Sequence, residues 1–442
     1  MKYTELKDKV FDRAKEKFDN YEIFINNINT SVVSTYNEQL NKYTISESGG
    51  ISFRGIKGNM EGYAYSENIS EESIDYLIEM AYQSMIAVGE KENIYIYNPK
   101  EKEEANIISK KSNLSSDKKI EKILSMYDIA KSESDEIHQV DGQGVEIFEE
   151  KYIANSHKLE KYEENTYAYV YAYVILKRND EMKSGIEFAF KDNFMDCDFE
   201  YIAKSAVNKA KREFGARAVD SGKYDIVLIN EEVSSLISSL SPAFSAKNVQ
   251  KKMSPLEGKL GESIASDKLT IRDLRSLPET KITESFDDEG IETKDFEIIK
   301  NGKLLSYVHN METAEKDNIE TTANASRSYK SVSSPSIRNM VIDEGSLDFE
   351  GLLKKLNNGL LITSLQGLHS GLDPVSGVFS LPCNGFLVEE GKIKRAVNQI
   401  ILSSNIEEFM KSIDEVGNDR RITLDGSYVA SLLIKNISIS GI

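Results

Sequence analysis

The chain has 442 residues, with 55 Lys plus Arg against 73 Asp plus Glu and a net charge of -18. At roughly 150 residues per domain it has room for two to three domains, and a core can form without disulfide staples. Its negative field would repel a phosphate backbone, which argues against direct nucleic-acid binding, and a composition of 40% apolar and 29% charged residues is that of a globular chain.

Leu6, Val10, Ala14 and Phe18 share one helical face with Phe11 beside them, so the chain opens with an amphipathic helix. From residue 21 to 65, β-branched and aromatic residues are broken by Gly49, Gly50, Gly55, Gly58 and Gly62, the pattern of a meander of short strands joined by tight turns. Ser70 before Glu71 and Glu72 reads as an N-cap with an acidic first turn, and Ile74, Leu77, Ile78, Ala81 and Met85 continue a helix that would cover the sheet. Residues 97–117 carry the run KEKEEA without apolar periodicity; they read as an exposed connection and a candidate sub-boundary.

Ile120, Ile123, Leu124 and Tyr127 predict a further helix, and strands are expected over 144–152 and 166–176. In the second of these, Tyr167, Tyr169, Tyr171 and Tyr173 fall on one face, usually the mark of a half-buried sheet and only occasionally of a ligand platform. Phe199, Ile202, Ala203, Ala206, Ala210 and Phe214 outline another helix. With KYDIVLI at 223–229 the composition turns to short apolar runs separated by Gly, Asn and Asp. The reading is an α+β fold in two domains: 1–217, a sheet covered by helices, and 218–442, β-rich.

Cys197 and Cys383 match no disulfide or zinc spacing, and Cys383 reads as a core thiol. The N-terminus mixes charge into every turn, unlike a secretory signal, and the longest charge-free runs, such as 356–372, lack the apolar length of a membrane helix. A cytoplasmic protein without a membrane partner is expected. GFLVEEGKI at 385–393 has one residue too many for a phosphate loop and no hydroxyl after Lys392, and GQGVEI at 142–147 lacks its third glycine. No serine sits in a GxSxG elbow, and His138, His157, His309 and His369 form no HExxH pair.

Two stretches stand out. In 285–310, Asp287, Asp288 and Glu289 precede a glycine and then a hairpin whose turn is Asn301-Gly302; the acids could bind a cation or tune a neighbour, although charge runs usually face water. The stretch 366–392 is long and glycine-punctuated, with His369 between small residues, a structural or a catalytic histidine.

At these residues the sequence resembles the TldD/PmbA family, named for a proposed modulation of DNA gyrase, and its PmbA (TldE) branch in particular. The matching pieces are GGISFRGIKGNMEGYAYS at 49–66, SPLEGKLGESIAS at 254–266, the stretch 287–310, TTANASR at 321–327, the stretch 366–392 and EVGND at 415–419. Ala323 and Ser404 depart from it where glycine is expected. The resemblance implies two homologous subunits around an internal cavity, with HExxxH and a C-terminal cysteine holding zinc in the TldD-type subunit for peptide hydrolysis.

Here the stretch matching HExxxH, 237–242, reads ISSLSP, and 419–429 contains no cysteine. By the resemblance this chain therefore carries no metal, cofactor or catalytic residue of its own, and zinc is expected in a TldD-type partner of a heterodimer. Asp287, Asp288, Glu289, His309, His369, Asn418 and Asp419 are the candidates for lining its cleft and holding a peptide or unfolded protein, by strand addition for instance. The alternatives are a stand-alone peptide-binding or scaffolding homodimer, or a hydrolase whose own site uses His369 or His309 with the acids at 287–289.

Overall fold

The computed structural model describes residues 3–91, 94–109 and 114–442. α1 (Tyr3–Ala14) buries Leu6, Val10 and Ala14 as their spacing predicts. Next come β1 (Asn20–Tyr36), β2 (Gln39–Lys57), β3 (Met60–Ser66) and α2 (Glu72–Val88), followed by β4 (Glu103–Ile107), α3 (Ser116–Glu133), β5 (Ile137–Asn155), β6 (Leu159–Arg178), β7 (Glu181–Lys191) and α4 (Phe199–Arg212). The strands form one sheet in the order β3-β2-β1-β5-β6, with β4 and β7 both pairing with β6.

All four helices pack on this sheet. α3 and α4 bury Ala168, Val170, Ala172 and Val174 of β6, while α1 and α2 bury Ile23, Ile25, Ile51 and Phe53. The tyrosines of β6 alternate with the buried Ala and Val residues and are half-buried on the opposite face, the ordinary outcome for such a stripe.

Three expectations are corrected. The meander has two long strands, of 17 and 19 residues, instead of short ones. Gly55 lies inside β2, where a Cβ would come within 2.5 Å of the Phe18 ring, and a Cβ on Gly62 of β3 would come within 1.9 Å of the Ala81 carbonyl. These glycines allow helices to approach the sheet; Gly58, at φ 56°, makes the turn. Second, part of KEKEEA is strand: Glu103, Glu104 and Ala105 begin β4, parallel to Leu159, Glu160 and Lys161 of β6. Tertiary pairing overrides a sequence with no apolar period of its own; residues 110–113 of that expected connection lie outside the described residues. Third, Ser70 is not the N-cap of α2: Glu71 takes that position without a side-chain bond, and Ser70 accepts the Ser73 amide through its carbonyl.

The second half is built from two sheets. β8 (Gly222–Leu228) leads into α5 (Asn230–Leu240) and α6 (Ala246–Gln250), then β9 (Ile271–Asp273), β10 (Phe296–Lys300), β11 (Lys303–Leu304) and α7 (Met311–Asp317). The predicted hairpin is β10–β11, with Asn301 and Gly302 at φ 45° and 78°, as a type I′ turn requires. A small ladder, β12 (Ala325–Ser326) with β13 (Ser334–Pro335), precedes β14 (Met340–Ile342) and α8 (Phe349–Leu356). The chain continues through β15 (Gly359–Leu365), α9 (Leu368–Gly371), β16 (Val378–Glu389), β17 (Lys392–Asn405), α10 (Ile406–Lys411), β18 (Ile413–Val416), β19 (Arg421–Ile422), β20 (Tyr428–Val429) and β21 (Leu432–Ser440).

One sheet has the order β17-β16-β15-β8-β21-β18, and β21 pairs back onto β17 over residues 401–403, closing five strands into a ring. The other runs β11-β10-β9-β14-β20-β19. Ile226, Leu360 and Leu432 of the ring, Ile271 and Ile299 of the second sheet, and Leu236, Ile237 and Leu240 of α5 share one core. Among the described residues no helix is long and apolar enough to cross a membrane.

Candidate functional site

Between the two halves lies a cleft of about 1310 Å³, walled by β7 and α4 on one side and by α5, β15, β16 and residues 419–431 on the other. Beside the cleft-lining residues Ser235 and Thr423, α5 meets residues 419–429, the stretch where the resemblance expects a cysteine. Ser234 of α5 lies 2.8 Å from the Thr423 hydroxyl and donates to Asp425 at 2.5 Å, and the Ser238 and Ser427 hydroxyls are 3.4 Å apart. Ile237, where the resemblance expects the first imidazole, is 4% exposed in the apolar core, and Pro242 takes the place of the second. Catalytic zinc is normally held by three imidazole, thiolate or carboxylate ligands. Hydroxyls and the carboxylate of Asp425 do not supply that set, and no group of three or more His, Cys, Asp and Glu suited to a metal occurs among the described residues.

Charge in the cleft is organised by Arg421, which reaches Glu187 and Glu231 at 3.0 Å each, donates to the Phe188 carbonyl at 2.8 Å, and lies over the Phe188 ring. Burial alone would raise the Glu187 carboxyl, but Lys209, Arg421 and the Ser205 hydroxyl hold it below the usual glutamate range. Glu232 is different. Burial pushes it up to about 7; the Leu365 amide, which donates to it at 2.8 Å, pulls it down and Glu231 adds to the rise.

β7 contributes an unpaired edge. Phe188 turns its amide and carbonyl away from β6, to the Glu187 carboxylate and to Arg421. By the two-residue repeat of an antiparallel pair, the main-chain groups of Met182, Ser184 and Ile186 face the same way, and all three residues line the cleft.

The sequence candidates scatter. Asp287, Asp288 and Glu289 do not form a solvated turn: they are 1%, 6% and 5% exposed. Asp287 accepts the amides of Glu289, Ile291 and Ala325; Asp288 pairs with Lys151 at 2.8 Å and accepts the Arg327 amide; Glu289 accepts the Met311 amide and the Ser333 hydroxyl. Burial, with Glu289 beside it, pushes Asp287 up to about 7, and burial raises Glu289 as well. His309 is buried, its imidazole held below the usual range by burial, and Glu289 reaches the two residues after it and not the ring. His369 and Asn418 are exposed. Asp419 lies on the cleft but is occupied by the Ser431 amide and hydroxyl. Of the seven, Asp288 lines a smaller cavity of about 480 Å³ nearby, and only Asp419 lines the cleft itself. Sequence reasoning missed Glu187, Glu231, Glu232 and Arg421; the one signal it had was a pair of adjacent glutamates opening an otherwise apolar and hydroxylic helix.

This architecture is that of known proteins. Models of the PmbA/TldA metallopeptidase family match as domain 1 over residues 21–84, the central domain over 110–213 and the C-terminal domain over 221–441. The chain belongs to that family. It is 24% identical to the metalloprotease PmbA of Escherichia coli O157:H7, over 97% of this chain and 94% of that protein, and 29% identical to a PmbA homologue of Buchnera aphidicola over 64% and 61%. The crystal structure of a proposed modulator of a DNA gyrase from Thermotoga maritima superposes with a TM-score of 0.90 at 26% identity, covering 99% of this chain and all of that one. TldE from Thermococcus kodakarensis gives 0.89 at 23%, with 99% and 100% covered, a likeness of fold. Ala323, a departure from the family pattern, adopts φ 55°, the left-handed region that favours the expected glycine.

Proposed function

We propose that this chain is the PmbA/TldE-type subunit of a cytoplasmic metallopeptidase that acts on peptides and unfolded proteins, and that it does not itself perform the hydrolysis. It forms one wall of a peptide-accepting chamber whose zinc sits in a TldD-type partner. The observation that carries this reading is the meeting of α5 with residues 419–429, where hydroxyls and an apolar core side chain stand in place of a zinc ligand set. The edge of β7 at Met182, Ser184 and Ile186 suits an extended peptide, because main-chain bonds add affinity without demanding a particular sequence. With a net charge of -18, any effect on gyrase would pass through a peptide or protein that the complex degrades.

The test is elemental analysis and digestion of an unfolded protein, with the purified chain alone and mixed with a subunit bearing HExxxH. Zinc and cleavage are expected only in the mixture; cleavage by the lone chain that persists after repurification would overturn the assignment.

A further inference from the structure

Across the cleft from β7, three neighbouring strands break register at one level. β15 shifts between Ile362 and Ser364, and β16 shifts between Cys383 and Gly385. β17 answers with an extra residue, since Val397 pairs with Gly385 and Ile400 with Cys383, leaving Asn398 and Gln399 opposite Asn384. Gln399 there takes φ 55°, a conformation side chains rarely adopt. Bulges re-aim side chains and gather beside functional sites, and strain of this kind persists only where surrounding structure enforces it.

Thr363, Asn384 and Asn398 of this row line the cleft wall, as Leu361 and Phe386 do two residues away on the first two strands, and Glu232 reaches the same place through its bond to the Leu365 amide. Thr363 is the residue left over between Ile362, which pairs with Gly385, and Ser364, which pairs with Asn384, and Asn398 lies opposite Asn384, so the three sit on adjacent strands, which are spaced about 4.8 Å. The hydroxyl and the two amides can each accept as well as donate, the carboxylate only accepts when ionised, and a primary ammonium brings three donors and a positive charge to such a set. We infer that Thr363, Asn384, Asn398 and Glu232 form a cradle for the free α-ammonium end of an extended peptide. The inference rests on the chamber reading above and adds polarity to it: the N-terminus of the peptide is anchored on the ring of strands while its backbone lies along β7. The groups facing Glu232 leave it available. Lys209 of α4 acts on it weakly and is already bound to Glu187 at 3.1 Å, Glu231 is bound to Arg421, and burial pushes the Cys383 thiol up to about 12, so it stays neutral.

The experiment measures binding of a fluorescent unstructured peptide, with a free or an acetylated N-terminus, to the full chain and to its complex with an HExxxH subunit at pH 7.5. The free amine is expected to bind at least about tenfold tighter. Glu232→Gln and, separately, Asn384→Leu should bring the two forms to parity by weakening the free amine and sparing the acetylated peptide. Equal binding of both forms, or a preference untouched by both substitutions, would overturn the cradle while leaving the chamber reading in place. An acetylated peptide with a lysine near its end that matches the free amine would overturn the assignment to the α-ammonium. Failure of every peptide to bind either the chain or the complex would overturn the chamber reading and the cradle together.

Discussion

Asp287, Asp288 and Glu289 form one short run of carboxylates, and Glu231 and Glu232 form another, yet they sit in opposite surroundings. The first run is almost fully buried, and main-chain amides from three places in the chain converge on it: its own turn, residues 325–327 and the start of α7. The second run opens a helix on the cleft; Glu231 is held by Arg421, and Glu232 has a single amide bond. The difference teaches where the chain builds and where it recognises. A carboxylate surrounded by amides fixes loops from distant parts of the sequence against one another, whereas an under-bonded carboxylate on a cavity wall keeps acceptor capacity for something else.

The sharpest way to break this comparison is at Arg327, next to the buried run. Its guanidinium pairs with Glu22 at 2.7 Å, both side chains being 2% or less exposed, and so ties the second half to β1. Arg327→Met would leave Glu22 charged and unpaired in the interior, and unfolding in urea should show a loss of about 3–5 kcal/mol. Asp287→Ala comes next. It strands the amides of Glu289, Ile291 and Ala325, and a loss of about 2–3 kcal/mol is expected in the same assay. A matching Glu231→Ala substitution on the cleft should stay within about 1 kcal/mol, because its partner Arg421 keeps Glu187. If the two alanine substitutions cost the same, the distinction between building and recognising acids fails.

The same contrast explains what was legible in the sequence. Helices with strong apolar periods, such as α1 and α4, and the Asn301-Gly302 hairpin carry their signals within a few residues, and they fold as read except that Phe18 and Phe214 lie beyond the helix ends. The burial of Asp287 was not legible, because the amide of Ala325 lies 38 positions away and nothing local distinguishes a run of acids that will meet amides from one that will meet water. β4 escaped for a related reason: its partner on β6 lies more than 50 residues downstream. The bulged row was half legible. Asn384, Asn398 and Gln399 interrupt runs that otherwise read as buried strand, and an amide side chain there signals either a bulge or a site, but only the shared register across three strands shows that they align.

The effect expected at Glu232 has a sign as well as a size. Glu232 has a folded-state pKa of about 7, raised by burial above the glutamate value of about 4.3 in an unfolded chain. A group raised in this way contributes stability that is fully present below the unfolded value and is lost as pH rises through the folded one. Wild type and Glu232→Gln should therefore unfold alike near pH 4, where both side chains are neutral. They should separate between about pH 4 and 7 and stay apart above that, the glutamine variant ending about 1–2 kcal/mol more stable once solvent screening is allowed for. Glu213 and Glu284, also pushed up to about 7, remain in both proteins, so the difference between the two curves isolates Glu232. A difference that stays flat across this range would mean that Glu232 is ionised at little cost, and the cleft would then lose its claim to an under-bonded acid. A free-amine peptide bound in the cradle should narrow that gap at pH 7.5, because only the glutamate gains a partner.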